Sequence, residues 1–134
     1  MRTFDELKAE AIPFKENKDC GVKAVAVAFG ISYADAHAAM ELAGRKHRES
    51  SYPEFYHTAA KLFDKKLVAV GKKFYAKTIK TLERELPKNR RYIVMVANHS
   101  VGAADGKIID WSKGRCHRIQ CILEVKDVKP KKTR

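Results

Sequence analysis

Between Cys20 and Phe29 the chain carries a single charged side chain, Lys23, which is followed by Ala24, Val25, Ala26, Val27 and Ala28. A helix that is apolar nearly all round is stable only where other layers cover it, because exposed apolar surface is unfavourable in water. The rest of the fold therefore has to be built around this helix. Its small side chains let a strand approach closely, and Gly30 is placed to stop it.

The flanking segments predict what does the covering. Thr3 can cap a helix through about Ala11, with Phe4, Leu7 and Ala11 on one face, and Pro13 ends it. A polar stretch, Lys15 to Asp19, leads into Cys20. Ser32 caps a helix from Tyr33 to Ala43, closed by Gly44. Ser51-x-x-Glu54, with Pro53 in the first turn, opens another to about Asp64. The texture then changes. Leu67 to Val70 reads as a short strand, and Thr78 caps a helix through Leu86, which Pro87 closes. Tyr92 to Ala97 is apolar on both faces, as a central strand is. Asp105-Gly106 predicts a hairpin turn joining the segment around Val101 to Ile108-Ile109-Asp110. Arg115 to Val125 alternates, with His117, Ile119, Cys121, Leu123 and Val125 inward and Cys116, Arg118, Gln120 and Glu124 outward. Helices first and an antiparallel sheet second predict an α+β domain.

A length of 134 residues with 45% hydrophobic residues suits one domain, expected over 1–125. No apolar run approaches the roughly 18 residues of a membrane span, so no membrane partner is expected. The opening Met1 to Glu6 has no charged-then-apolar leader, which argues against secretion. Three cysteines are an odd count and too few for a disulfide scaffold, so a reducing, cytoplasmic setting is expected. The net charge of +12 favours encounters with acidic partners, including nucleic acid. Lys and Arg are spread along the chain and densest at Lys126, Lys129, Lys131, Lys132 and Arg134, a tail expected to be disordered over 126–134.

Cys20, His99 and Asp110 stand out as candidate chemistry. A thiol is nucleophilic as thiolate, and a helix N-terminus and a neighbouring imidazolium both lower its pKa. Asp19 is a natural N-cap, which places Cys20 in the first helical turn. His99 follows the most buried strand and is expected to project from the Ile93, Met95, Ala97 face. Asp110 ends a strand joined to that region through the hairpin, within reach of the imidazole it would orient. Cys116, His117 and Cys121 do not share a face in the expected strand, so no metal site is expected. No phosphate-cradling glycine loop is present and no cofactor is expected. Tyr52, Phe55 and Tyr56 near Arg45 to Arg48 are placed to pack a helix, leaving a solvated loop.

Asn17-Lys18-Asp19-Cys20-Gly21 running into Val22 to Ala26 resembles the nucleophile helix of papain-like and bacteriocin-processing (C39-like) cysteine peptidases. Tyr92 to His99, followed by Asp105 to Asp110, is similar to their histidine strand, Asp-Gly turn and closing aspartate. The middle segment, Gly30 to Ala36 and Gly44 to Lys46, resembles small proteins of tailed bacteriophages. The resemblance implies a papain-like fold, a Cys20–His99–Asp110 triad, a protein or peptide substrate, and action in the cytoplasm of a phage host. The family pattern has a glutamine about six residues before the cysteine. Phe14 stands there, so Asn17 becomes the candidate oxyanion donor, with the Cys20 N–H as the second. Two alternatives remain open: a catalytically silent basic module that binds nucleic acid or an acidic host protein, and an interaction protein that inhibits a host enzyme by docking.

Overall fold

The computed structural model describes residues 2–128. Helices α1 (Phe4–Ala11), α2 (Cys20–Phe29), α3 (Tyr33–Leu42) and α4 (Pro53–Leu62) precede strand β1 (Lys65–Ala69), the short helix α5 (Ile79–Leu82), and strands β2 (Arg91–Val96), β3 (His99–Ala104), β4 (Lys107–Ile109) and β5 (Ile119–Asp127). The chain is α+β, and its five strands form one antiparallel sheet in the order β1-β5-β2-β3-β4. Among the described residues no helix is long and apolar enough to cross a membrane.

Local signals account for most boundaries. The Thr3 and Ser32 hydroxyls accept from the third-residue N–H groups of α1 and α3. Gly30 takes φ +68° at the end of α2. Three of the boundaries that differ from expectation have a visible cause. Ser51 does not cap α4; its Oγ is buried beside the Gly21 backbone, and Tyr52 takes the N-cap position. Helix α5 stops at Leu82, because the Glu85 carboxylate accepts from the Tyr75 and Ala76 N–H groups and Glu83 from that of Ile108. Strand β5 runs through Asp127, past the boundary expected at Val125, since Lys126 pairs with Lys66 in the ladder. The rest of the expected tail, from Lys129 on, lies outside the described residues.

The sheet has two buried faces. One packs against α1 to α4 through Leu67, Ile93, Leu123 and Ala104, and α2 is buried along almost its whole length. The other carries Tyr92, Val94, Val96, Val101 and Ile122 beneath α5 and Leu86. A bulge between Met95 and Val96 pairs them with Cys121 and Ile119, so Ile119 crosses to the second face instead of sharing the Cys121 side. Residues 116–118 precede β5, so the expected alternation does not extend to Cys116 and His117. Glu124, expected outside, is 3% exposed on the second face because Arg90 Nη1 bonds its carboxylate at 2.6 Å.

Gly102 sets the spacing between α2 and β3. A Cβ there would stand 2.6 Å from Val27 Cβ and 3.1 Å from the Ala24 carbonyl oxygen. Both neighbours belong to a packed core helix that has little room to yield. Gly102→Ala is expected to destabilise the domain by about 2 kcal/mol, read as a lower urea midpoint with an unchanged slope.

Candidate active site

The first residue of α2 is Cys20, so the thiol sits where first-turn N–H groups have no helical partners. Asp19 occupies the N-cap position, yet its side chain does not cap. Its Oδ2 accepts from the Tyr33 hydroxyl at 2.9 Å and its Oδ1 pairs with Lys23 Nζ at 3.2 Å. These two partners hold the carboxylate away from the helix start and offset its charge. The helix terminus is thereby left open to an anion.

Asn98, with φ +54°, closes a two-residue turn with Ala97 that reverses the chain directly after β2. His99 therefore opens β3 in register with Val96, not on the Ile93, Met95, Ala97 side. Strand β4 pairs only with residues 102–104 of β3, so the His99–Ser100 edge has no strand beside it there. Helix α2 delivers Cys20 to that open edge, where His99 and Ser100 line the same cleft and both help to lower the thiol pKa.

Asp110 directly follows β4 and is 7% exposed. Its Oδ2 accepts from His99 Nε2 at 2.7 Å, from the Ser112 N–H at 2.9 Å and from the Ser112 hydroxyl at 2.5 Å. With Nε2 held, Nδ1 is the ring nitrogen left for the Cys20 thiol, which the imidazole also engages. The structure thus brings Cys20, His99 and Asp110 together in one cleft, with His99 and Asp110 bonded to each other. Trp111 lies against the imidazole, ring centroids 4.8 Å apart.

Electrostatics reinforce the pair. Burial alone would raise the Cys20 pKa. The His99 hydrogen bond, the Ser100 N–H, the imidazolium charge and the Gly21 N–H outweigh it and bring the thiol below its ordinary value. Burial would likewise lower His99, but its bonds to Asp110 and Cys20, with both negative charges, raise it to about 9. A lowered thiol and a raised imidazole both move the pair toward thiolate and imidazolium.

Asn17 is exposed on the wall of the same cleft, a cavity of about 780 Å³ that Cys20, His99, Asp110 and Trp111 also line. Its loop is fixed from below. The Glu16 side chain, 1% exposed, accepts from Arg45 Nη1 and Nη2 at 2.9 and 3.0 Å, from the Arg48 N–H at 2.7 Å, and pairs with His37 Nε2 at 2.6 Å. Arg45 also donates to the Lys18 carbonyl at 3.2 Å. Arg45 is therefore buried, not part of a solvated loop. Phe14, in the place where the family pattern puts glutamine, packs on Tyr33 and His37 at 5.1 and 4.6 Å. It cannot serve as a polar donor.

Trp111, Ser112 and Ser100 escaped the sequence reading. Asp110-Trp111-Ser112 did carry a signal, since an aspartate often bonds the N–H two residues on. Nothing local marks Ser100, whose role depends on where β4 ends. Comparison with family models, with curated proteins and with solved structures finds no match.

Proposed function

We propose that this chain is a cysteine peptidase or related thiol-dependent acyl hydrolase on a papain-like scaffold. The observation that carries the reading is the meeting in one cleft of the Cys20 thiol, the His99 imidazole and the buried Asp110 carboxylate bonded to it. A structural histidine has no need of both a buried carboxylate and a thiol at an uncapped helix start.

In the proposed reaction the Cys20 thiolate forms a C–S bond to an amide or thioester carbonyl carbon, and the carbonyl π pair moves onto oxygen. The Cys20 N–H and the Asn17 amide would receive that oxyanion. As the tetrahedral intermediate collapses, the imidazolium gives its Nδ1 proton to the departing amine or thiolate. The neutral imidazole then takes a proton from water, whose oxygen attacks the acyl-enzyme, and the C–S bond breaks to return thiolate and imidazolium. Asp110 holds the ring and favours its charged form throughout.

Iodoacetamide labelling followed by peptide mapping tests the premise. At pH 6.5 Cys20 is expected to react ahead of Cys116, although Cys116 is the more exposed, because its pKa lies below the ordinary thiol value and more of it is thiolate. An ordinary thiol gains about tenfold in rate per pH unit below its pKa, and the Cys20 rate should level off at a lower pH than that of an ordinary thiol. Turnover should fall as pH rises through the His99 value of about 9, where the leaving-group proton is lost. Labelling that follows exposure, with Cys116 first, would sink the proposal.

A further inference from the structure

The charges around the cleft are unevenly matched. Two carboxylates line it, Asp19 and Asp110, and internal partners occupy both. Asp19 is held by Lys23 and Tyr33, and Asp110 by His99 and Ser112. The cations are not matched in this way. On the Cys20 side, Lys18 is exposed on the cleft wall, and among the described residues its ammonium has no carboxylate partner. On the His99 side, the Arg115 guanidinium lies 5.4 Å from the Trp111 ring centroid, also with no carboxylate partner among the described residues. A guanidinium resting on a ring face keeps its N–H edge free for a carboxylate. The cleft wall therefore carries Lys18, Arg115 lies beside it over the lining Trp111, and both lining carboxylates are occupied. The net charge of +12 extends the same sign over the molecule and raises the local concentration of anions.

Resting on the hydrolase reading, we propose that the preferred substrate is an acidic polypeptide, with Asp or Glu on both sides of the scissile bond. One carboxylate meets Lys18 and the other meets Arg115. Nucleic acid would satisfy the charge but offers the thiolate no acyl carbon, so the chemistry favours protein. Each exposed pair is weak, and two of them acting together amount to about a tenfold preference.

Protection of Cys20 from iodoacetamide measures this without requiring a known substrate. The probes are the peptide Glu-Glu-Gly-Gly-Glu-Glu, its all-Lys counterpart and a single-stranded 12-mer DNA, used on the full chain at low salt. The acidic peptide should protect at about one tenth the concentration of the basic one, whether or not the DNA also occupies the charge, and 0.5 M salt should erase the difference. Lys18→Glu combined with Arg115→Glu should remove or invert the preference, and Lys18→Gln with Arg115→Gln should flatten it if the reversal perturbs folding. Equal protection by both peptides, or protection by DNA alone, overturns the acidic-substrate proposal while the thiol reading stands. A Cys20 that labels no faster than Cys116 with no probe present removes the hydrolase reading, and this inference with it.

Discussion

Replacing Cys20 by alanine is expected to lower turnover of a small thioester or activated amide by at least about 10³-fold, while unfolding free energy stays within about 1 kcal/mol of the parent. The two effects separate for a physical reason. The Cys20 side chain is only partly buried, and alanine keeps the helical backbone of α2 without leaving a large void. On the hydrolase reading the nucleophile has no substitute, because Cys116 and Cys121 do not line the cleft that Cys20 shares with His99 and Asp110. His99→Ala supplies the second arm. It removes the first of the contacts that outweigh burial at the thiol, so Cys20 labelling should move to higher pH as turnover falls by about 10²- to 10⁴-fold. Unchanged turnover in Cys20→Ala would leave the positive charge as the molecule's main asset. Salt-sensitive binding to unrelated DNA sequences, indifferent to the thiol, would then favour a silent binding module.

The sequence made the site legible wherever chemistry and spacing are local. The bounds of α2 follow from an apolar run that starts after a polar stretch and ends at Gly30. The β3–β4 hairpin follows from Asp105-Gly106, both at positive φ. Together these place a thiol at a helix start and an aspartate just beyond a short strand. Two kinds of information were not local. The side on which His99 emerges depends on a turn at Ala97-Asn98 that follows β2 immediately, and an apolar strand signal does not announce its own reversal. The second kind is pairing across the chain. Glu16 and Arg45 lie 29 residues apart, and each alone reads as a solvated charge. Glu124 likewise alternates as an outward residue until Arg90 covers it. Buried ion pairs break the equation of charge with surface on which patterning rests, so such positions are misassigned from sequence.

The Glu16–Arg45 pair gives the largest expected change in stability. Arg45→Met should destabilise the domain by about 3 to 5 kcal/mol, because it leaves Glu16 buried and ionised with its strongest donor gone. Both side chains are nearly sealed, at 2% and 1% exposure, so water cannot replace the guanidinium. Removing the charge as well should recover most of the loss: Glu16→Gln with Arg45→Met keeps an acceptor for the Arg48 N–H and has no ion to desolvate. The pH dependence runs in a defined direction. Burial would raise the Glu16 pKa, but Arg45, the Arg48 N–H and His37 lower it to about 2. A depressed carboxylate contributes stability that is present above its unfolded value, near 4.5, and lost as pH falls toward 2. Urea midpoints of the parent should therefore drop between pH 5 and pH 2, and Arg45→Met should flatten that slope. The same substitution reaches the chemistry, because Arg45 also holds the Lys18 carbonyl and so steadies the Asn17–Asp19 approach to Cys20. At a temperature where Arg45→Met is still folded, kcat should fall while the Cys20 labelling rate holds, since the thiolate depends on His99 and the oxyanion on the loop. If labelling fell in parallel with kcat, the loop would be bracing the thiol itself, and Asn17 would lose its claim to the oxyanion.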